Sequence, residues 1–180
     1  FKLDFEVEIP LLQSYEKNYK MNFSFKTIKK FSKYQNIIIF GMGGSILGSK
    51  CIYSFLKSRI KKKIFFFDNL DPNLHAQCSK IKDIKNSCFV VISKSGNTLE
   101  TITNLGIVFS NSLIRNKLII ITEIKNSALS FIADKFGAEV IEHNNFISGR
   151  YSVLSEAGML PAMLMNLKIE RFKNIKNFLN

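Results

Sequence analysis

Two short polar loops carry the residue types that could hold a phosphate group. The first, here named the glycine loop (residues 41–45), reads Gly-Met-Gly-Gly-Ser and follows an apolar run at 36–40. The second, the serine loop (residues 93–98), reads Ser-Lys-Ser-Gly-Asn-Thr and follows an apolar run at 88–92. Small, hydroxyl-rich loops that open helices present backbone amides and neutral hydroxyls to an anion. We therefore expect both loops to contact a phosphate ester.

Other interpretations of the two loops remain open from the residues alone. The dinucleotide-binding fingerprint requires glycine where Ile46 stands, although Asp68 would imitate its ribose-binding acid. The mononucleotide loop requires Lys then Ser or Thr after Gly48, where the order is Ser-Lys. The glycine loop could also be a purely structural turn, and Asn97 or Thr98 could simply cap the following helix. A nucleotide-binding module is thus one alternative to phosphate-ester binding.

The elements that must position these loops alternate regularly along the chain. Short apolar runs bounded by turn residues predict buried parallel strands, and the longer segments between them predict helices. The predicted strands are 36–40, 64–67, 88–92, 117–122 and 138–141. The predicted helices are 46–58, 72–82, 98–111, 126–136, 153–166 and 168–179, with an amphipathic stretch at 23–34 before the first strand. This alternation indicates an α/β fold with a doubly wound, five-stranded parallel sheet and helices on both faces.

The strand order decides whether the two loops meet. In a flavodoxin-like order, 2-1-3-4-5, the first and third strands are neighbours, and ligands bind at the carboxyl ends of the strands where the winding reverses. The glycine loop follows the first strand and the serine loop follows the third. We therefore expect both loops to border one crevice.

Composition and charge narrow the class of partner. The net charge of +12 comes from lysines scattered along the chain rather than interleaved with stacking aromatics, so we expect no nucleic-acid partner. No apolar run approaches the roughly 20 residues that a membrane-spanning helix needs, so we expect no membrane partner. Three cysteines, Cys51, Cys78 and Cys88, lie in or beside apolar stretches and are interpreted as reduced core thiols. These features favour a cytoplasmic protein.

A third motif makes the pattern specific. Residues 149–155 read Gly-Arg-Tyr-Ser-Val-Leu-Ser, and residues 91–101 read Val-Ile-Ser-Lys-Ser-Gly-Asn-Thr-Leu-Glu-Thr. Together with the glycine loop, these segments resemble, in order, the first sugar isomerase (SIS) domain of the glucose-6-phosphate isomerase family. The likeness runs from about residue 35 to 164. It implies a helical lead-in at 1–35, a flavodoxin-like SIS domain at 36–166, and a C-terminal helix at 167–180 that leads to a second domain.

The resemblance also implies roles for particular residues. Arg150 would stabilise the negative charge of an enediolate, a role that suits a permanently charged guanidinium with several donors. Gly44 would allow close approach of the ligand, and Glu100 would order the serine loop or a water. The residues implied to hold the substrate phosphate are Gly44, Ser45, Ser93, Lys94 through its backbone, Ser95 and Thr98.

The activity that the resemblance implies is the interconversion of glucose 6-phosphate and fructose 6-phosphate in glycolysis and gluconeogenesis, with no cofactor and no metal, in a homodimer. The family's glutamate base and ring-opening histidine follow this region, and neither has a counterpart here. His75 and His143 lie in no matching motif and are expected to be structural or surface residues. Glu156 stands where the family commonly has small residues. Without a positioned base the chain is expected to bind substrate with little turnover, and a stand-alone phosphosugar sensor is the alternative.

Overall fold

The fold is built on one parallel sheet. The computed structural model describes residues 10–16, 18–109 and 115–172. Its strands are β1 (Asn36–Gly41), β2 (Lys63–Phe67), β3 (Ser87–Ile92), β4 (Leu118–Thr122) and β5 (Glu139–Glu142). They pair in parallel in the order β2-β1-β3-β4-β5. The flavodoxin-like order is confirmed, and each strand begins and ends within one residue of its predicted bounds.

Helices cover both faces of this sheet. The α-helices of the described residues are α1 (Phe25–Phe31), α2 (Gly44–Leu56), α3 (Leu74–Ser79), α4 (Leu99–Phe109), α5 (Ala128–Phe136) and α6 (Glu156–Leu164). Short 3-10 turns occupy Pro10–Tyr15, Lys57–Arg59, Ile84–Asn86, Gly149–Leu154 and Ile169–Arg171. The predicted doubly wound α/β architecture is therefore confirmed.

Two separate hydrophobic clusters lie on the two faces of the sheet, because successive side chains of a strand point to opposite faces. On one face Ile37 and Ile39 pack with residues of α1, α2 and α6. On the other face Ile38 and Phe40 pack with residues of α3, α4 and α5. All six residues of β1 and of β3 are buried. The central strands consequently read as continuous apolar runs, and that is why the sequence locates them so closely.

Helix α5 shows how local sequence sets the helix ends. Ser127 is its N-cap, and a capping box links Ser127 and Ser130 reciprocally. The helix therefore begins at Ala128, two residues after the start of the predicted range 126–136. Gly137 ends the helix in the left-handed region, at φ 63°, so the last helical residue, Phe136, is the predicted one.

Several predicted helices differ in extent from the structure. The helix predicted at 72–82 spans only Leu74–Ser79, and the helix predicted at 46–58 lies two residues earlier, at Gly44–Leu56. The helix predicted at 153–166 begins only at Glu156, because Gly149–Leu154 forms a 3-10 turn whose last hydrogen bond runs from Ser155 N to Ser152 O. The helix predicted at 168–179 is a 3-10 turn at Ile169–Arg171 where it is described, and residues 173–180 lie outside the described residues. Residues 110 and 111 of the helix predicted at 98–111 also lie outside them.

The interpretation of the cysteines as core thiols holds only in part. All three are free thiols, with Cys88 buried, Cys78 half-buried and Cys51 exposed. Cys51 is therefore not a core residue. It lies in α2, on a part of that helix that faces away from the sheet.

Within the described ranges, none of the helices combines the length and the apolar character that crossing a bilayer requires.

Candidate functional site

The two polar loops leave the sheet side by side. Gly41, the last residue of β1, pairs in register with Ile92, the last residue of β3. A methyl group placed on Gly41 would lie 3.0 Å from the carbonyl oxygen of Ile92. The glycine loop and the serine loop therefore start at the same level of two adjacent strands, at the carboxyl edge where the winding reverses.

The glycine loop turns directly into helix α2. Gly43 is the N-cap of this helix at φ 53°, a region that favours glycine, and Ser45 lies in the first turn. The helix has 13 residues, so its N-terminal amides and its dipole favour an anion at this point. Helix α4 begins in the same way after the serine loop, at Leu99.

The third motif forms a 3-10 turn against the glycine loop. We call this turn, Gly149–Leu154, the arginine turn because it carries Arg150. A methyl group placed on Gly149 would lie 3.6 Å from Ser45 N and 3.7 Å from Ser45 Oγ. Within the turn, Ser152 Oγ donates a hydrogen bond of 2.7 Å to Gly149 O. Arg150 is exposed and forms no ion pair with the residues that the structure describes.

Three glycines hold the arginine turn by direct main-chain packing. A Cβ on Gly44 would lie 2.5 Å from Arg150 N, and a Cβ on Gly48 would lie 3.0 Å from Val153 Cα. From the other side, a Cβ on Gly158 would lie 2.7 Å from Val153 C. We call this seat, formed by Gly44, Gly48 and Gly158, the glycine groove. The sequence analysis did not recognise Gly48 or Gly158 as part of the site, although the four-residue spacing of Gly44 and Gly48 places them on one helix face.

Hydroxyl groups of the serine loop bond to one another. Ser93 Oγ and Thr98 Oγ1 are 2.8 Å apart, and Ser93 is buried while Thr98 is half-buried. A hydroxyl donates one hydrogen bond and accepts two. When Ser93 donates to Thr98, the Thr98 proton stays free for a ligand. Ser95 Oγ accepts from Asn97 N at 3.2 Å, which also leaves its own proton free.

The remaining residues of the serine loop attach it to helix α5. Gly96 adopts φ 70°, and its carbonyl accepts from Leu129 N at 3.0 Å. The side chain of Asn97 accepts from Ala128 N at 2.8 Å. Asn97 therefore caps α5 and not the helix that follows it, which corrects one of the two caps suggested by the sequence. Thr98 directly precedes α4, and its carbonyl accepts from Ile102 N at 3.1 Å.

Lys94 connects the serine loop with the chain that leads to the arginine turn. Its backbone carbonyl accepts from Glu123 N at 3.1 Å, which fixes the loop against the end of β4. Its Nζ donates to Asn145 O at 2.5 Å and lies 3.8 Å from Glu123 Oε1. The ammonium group of Lys94 is thus engaged with the backbone at residue 145.

Two acidic residues singled out in the sequence differ in their surroundings. Glu100 is half-buried in the first turn of α4, next to the serine loop. Asp68 forms an ion pair with Lys50 of α2. Asp68 is therefore neutralised within the fold, which weakens the comparison with a ribose-binding acid.

A buried acid next to the arginine turn was not recognised as important. Glu156 is fully buried, and its carboxylate accepts hydrogen bonds from Tyr19 Oη at 3.1 Å and Asn22 N at 3.0 Å. Burial and the nearby Glu156 charge raise the pKa of Tyr19. The only sequence signal was that an acid stands where the resemblance leads one to expect a small residue.

His143 is a buried neighbour of this acid. It is 1% exposed, its Nδ1 lies 3.1 Å from Asn144 O, and its Nε2 has no hydrogen-bond partner among the described residues. Burial lowers the pKa of His143, although the Asn144 carbonyl and the Glu156 charge oppose this. His143 is thus buried, which excludes the surface position that was one of the two alternatives expected for it. The side chain of His75 lies outside the part of the chain that the structure describes.

The structure brings the predicted residues together in two groups. Gly44, Ser45 and Arg150 meet at the contact of the glycine loop with the arginine turn, and Ser93, Ser95 and Thr98 share the serine loop on the adjacent strand. Within residues 10–16, 18–109 and 115–172, no cluster of three or more His, Cys, Asp or Glu side chains could hold a metal ion.

Solved structures share this fold. A hypothetical protein from Thermus thermophilus superimposes with a TM-score of 0.73 at 21% identity, covering 94% of this chain and 43% of that one. A glucose-6-phosphate isomerase from Chlamydia trachomatis gives a TM-score of 0.67 at 26% identity, covering 82% of this chain and 29% of that one.

Sequence relatives point the same way. Glucose-6-phosphate isomerase from Methanocaldococcus jannaschii is 32% identical over 147 residues, which are 79% of this chain and 36% of that protein. The enzyme of the same name from Mycoplasma genitalium is 38% identical over 159 residues, again 79% of this chain and 36% of that protein. The chain thus spans little more than a third of the length of these two relatives. The phosphoglucose isomerase family model matches residues 15–180, and the chain belongs to that family.

Proposed function

We propose that this chain is the N-terminal, phosphosugar-binding SIS domain of a glucose-6-phosphate isomerase, which interconverts glucose 6-phosphate and fructose 6-phosphate. The family match and the relatives named glucose-6-phosphate isomerase support the isomerase class. The observation that carries the proposal is the contact of Gly44 with the backbone of Arg150, at the edge where the serine loop emerges from the adjacent strand.

The phosphate end of the substrate would bind to neutral donors. Ser95 has a hydroxyl proton that the loop itself does not use, and Thr98 has one when Ser93 donates to it. Ser45 lies at the N-terminus of α2. A phosphate dianion accepts several hydrogen bonds at once, each worth roughly 1.5 to 3 kcal/mol when charge-assisted. Clustered neutral hydroxyls and helix N-termini can therefore bind a sugar phosphate and still release it.

Arg150 would act at the other end of the substrate, near C1 and C2. Moving a proton between adjacent carbons generates an enediolate, and an exposed guanidinium free of ion pairs among the described residues can stabilise that charge. The proton itself needs a general base, which contributes roughly 10² to 10⁴ in rate. We propose that this base, a glutamate in the family, comes from a part of the protein outside these 180 residues.

The test is calorimetry with fructose 6-phosphate on the 180-residue chain. We expect millimolar or tighter binding in the wild type, and Ser95→Ala combined with Thr98→Val should weaken it about 100-fold, since two hydrogen bonds to a charged group are lost. Thr101→Val is the matched control, because its buried hydroxyl lacks a hydrogen-bond partner among the described residues.

Three outcomes would count against the proposal. The first is no binding of fructose 6-phosphate at millimolar concentration, and the second is unchanged affinity in the double variant. The third is a rise in melting temperature with NAD or ATP but not with sugar phosphates, which would favour a nucleotide-binding module. A turnover assay on the same chain is expected to detect little isomerisation, and full activity would refute the view that the base lies elsewhere.

A further inference from the structure

The segment that precedes the first strand is bonded to both flanks of the arginine turn. On the C-terminal flank, Tyr19 Oη lies 3.1 Å from each carboxylate oxygen of Glu156, and Asn22 N donates to Oε1 at 3.0 Å. On the N-terminal flank, Asn144 Nδ2 donates to Tyr19 Oη at 2.7 Å. The Tyr19 hydroxyl therefore donates to one side of the turn and accepts from the other.

Asn22 also contacts the end of β5 and the residues that follow it. Its side-chain amide donates to Glu142 O at 3.3 Å and to Asn144 Oδ1 at 3.2 Å. Further along the lead-in, Tyr15 packs against the hydrophobic cluster that contains Leu154 of the arginine turn. Tyr15, Tyr19 and Asn22 thus contact the turn or its flanks, and hydrogen bonds join Tyr19 to residues on both sides of the turn.

The buried carboxylate of Glu156 depends on the hydrogen-bond donors of this segment. Glu156 is 0% exposed and forms no salt bridge within the described ranges, so its charge depends on hydrogen-bond donors and on the N-terminus of α6. Removing a donor from a buried carboxylate costs more than removing one from an exposed group. The Tyr19 hydroxyl is protonated near neutral pH and able to donate, and burial together with the Glu156 charge raises its pKa further.

We propose that Tyr19 and Glu156 form a positioning pair that holds the arginine turn, and with it Arg150, against the glycine loop. Neither residue touches the proposed ligand. The pair acts through the turn, whose backbone lies on Gly44, Gly48 and Gly158. The role in ligand binding rests on the proposed function, whereas the restraint on the turn does not.

The first arm of the test needs no ligand. Hydrogen exchange is measured at the amides of Tyr151 and Ser155, which donate to Ser148 O and Ser152 O within the turn, and at Val90 in the core of β3. Tyr19→Phe should accelerate exchange in the turn about tenfold, the change expected for one lost hydrogen bond to a charged group. Glu156→Met removes both acceptor oxygens at similar volume and should accelerate exchange at least as much. The effect of the double variant should be smaller than the two single effects combined, because both substitutions remove the bond between Tyr19 and Glu156.

The hydrogen-exchange measurement has a matched control, and two of its outcomes would contradict the proposal. Tyr53→Phe removes a hydroxyl from a half-buried tyrosine whose ring lies 5.6 Å from Phe66, away from the turn, and it should leave turn exchange unchanged. Unchanged exchange in Tyr19→Phe would overturn the proposal. Equal acceleration at Val90 and in the turn would also overturn it, since that would reveal only a general loss of stability.

The second arm separates positioning from stability by comparing two ligands. Inorganic phosphate reports on the loops alone, whereas fructose 6-phosphate also reaches Arg150. Tyr19→Phe should lower the affinity for fructose 6-phosphate about tenfold and leave the affinity for inorganic phosphate unchanged. In a chain that already carries Arg150→Ala, Tyr19→Phe should not lower the affinity for fructose 6-phosphate any further. Equal weakening of both ligands, or additive effects, would refute the positioning role. If the wild type binds neither ligand, the proposed function fails, and the exchange arm still decides whether the pair restrains the turn.

Discussion

The glycine loop and the serine loop leave adjacent strands at the same edge, yet different parts of the chain hold them in place. The glycine loop is fixed by main-chain packing, with Gly44 lying against the backbone of Arg150. The serine loop is fixed by polar side chains, through the Ser93–Thr98 pair and the Asn97 bond to Ala128 N. The first loop should therefore be sensitive to added volume, and the second to the loss of polar atoms.

The largest effect is expected for Gly44→Ala. A Cβ there would lie 2.5 Å from Arg150 N, and because this neighbour is backbone, the arginine turn or α2 must shift. We expect a loss of about 3 kcal/mol in the free energy of unfolding, measured by urea denaturation, together with loss of phosphosugar binding.

Gly106→Ala is the control for this variant. Gly106 lies within α4, and a Cβ placed on it would meet nothing within 4 Å. Alanine is about 0.5 to 1 kcal/mol better than glycine inside a helix, so this variant should be neutral or more stable. Equal losses in Gly44→Ala and Gly106→Ala would contradict the packing argument.

A smaller loss in the free energy of unfolding is expected for Gly96→Ala in the serine loop. Gly96 adopts φ 70°, and a Cβ would lie 2.7 Å from Ser127 Cβ. The neighbour is a side chain, so part of the strain can relax, and we expect a cost of about 2 kcal/mol in unfolding experiments. A cost as large as that of Gly44→Ala would show that the two loops do not differ in the way described.

Removing the hydroxyl pair should cost less again. Ser93→Ala and Thr98→Val each break the 2.8 Å bond and should each lower the free energy of unfolding by about 1 kcal/mol. The double variant should cost less than the sum, because one bond is lost in each case. Thr101→Val, in α4 just after the serine loop, is expected to be neutral or stabilising, since its hydroxyl is buried without a partner in the described part of the chain. A fully additive double variant would argue that the two hydroxyls act independently.

The smallest effect is expected from the titration of His143, at the neighbouring end of β5. Burial lowers its pKa below the usual value of 6.5, so the unfolded chain binds the proton more tightly than the folded one. Its contribution to stability is therefore present above about pH 6.5 and is lost as pH falls through the folded pKa. In urea denaturation, the free energy of unfolding of the wild type should fall between pH 7 and pH 5. In His143→Gln it should fall less over the same range. An NMR titration that put the His143 pKa above 6.5 would contradict it.

The sequence was most informative where one physical factor dominates. Buried parallel strands must be apolar on both faces, so runs such as 36–40 and 88–92 located β1 and β3 and placed the two loops at one edge. The roles proposed for Ser45, Thr98 and Arg150 remain predictions that rest on the resemblance.

Tertiary contacts account for what the sequence could not indicate. Val153 and Leu154 look like the start of a helix, but Gly158 packs against the Val153 backbone and the chain forms the arginine turn instead. Glu156 reads as an ordinary acid at a helix start, and only the fold shows that Tyr19 and Asn22 bury it. Such partners lie more than 100 residues apart, and no local pattern predicts them.

The glycine groove has one more consequence. Where main chain rests on main chain, no rotamer can take up a displacement, so a shift in the first turns of α2 passes directly into the segment that bears Arg150. Helix and turn should move together as a single rigid unit. Backbone packing therefore sets the distance between the Arg150 main chain and the end of β1. Substitutions on the outer face of α2, for example at the exposed Leu47, should leave this distance unchanged.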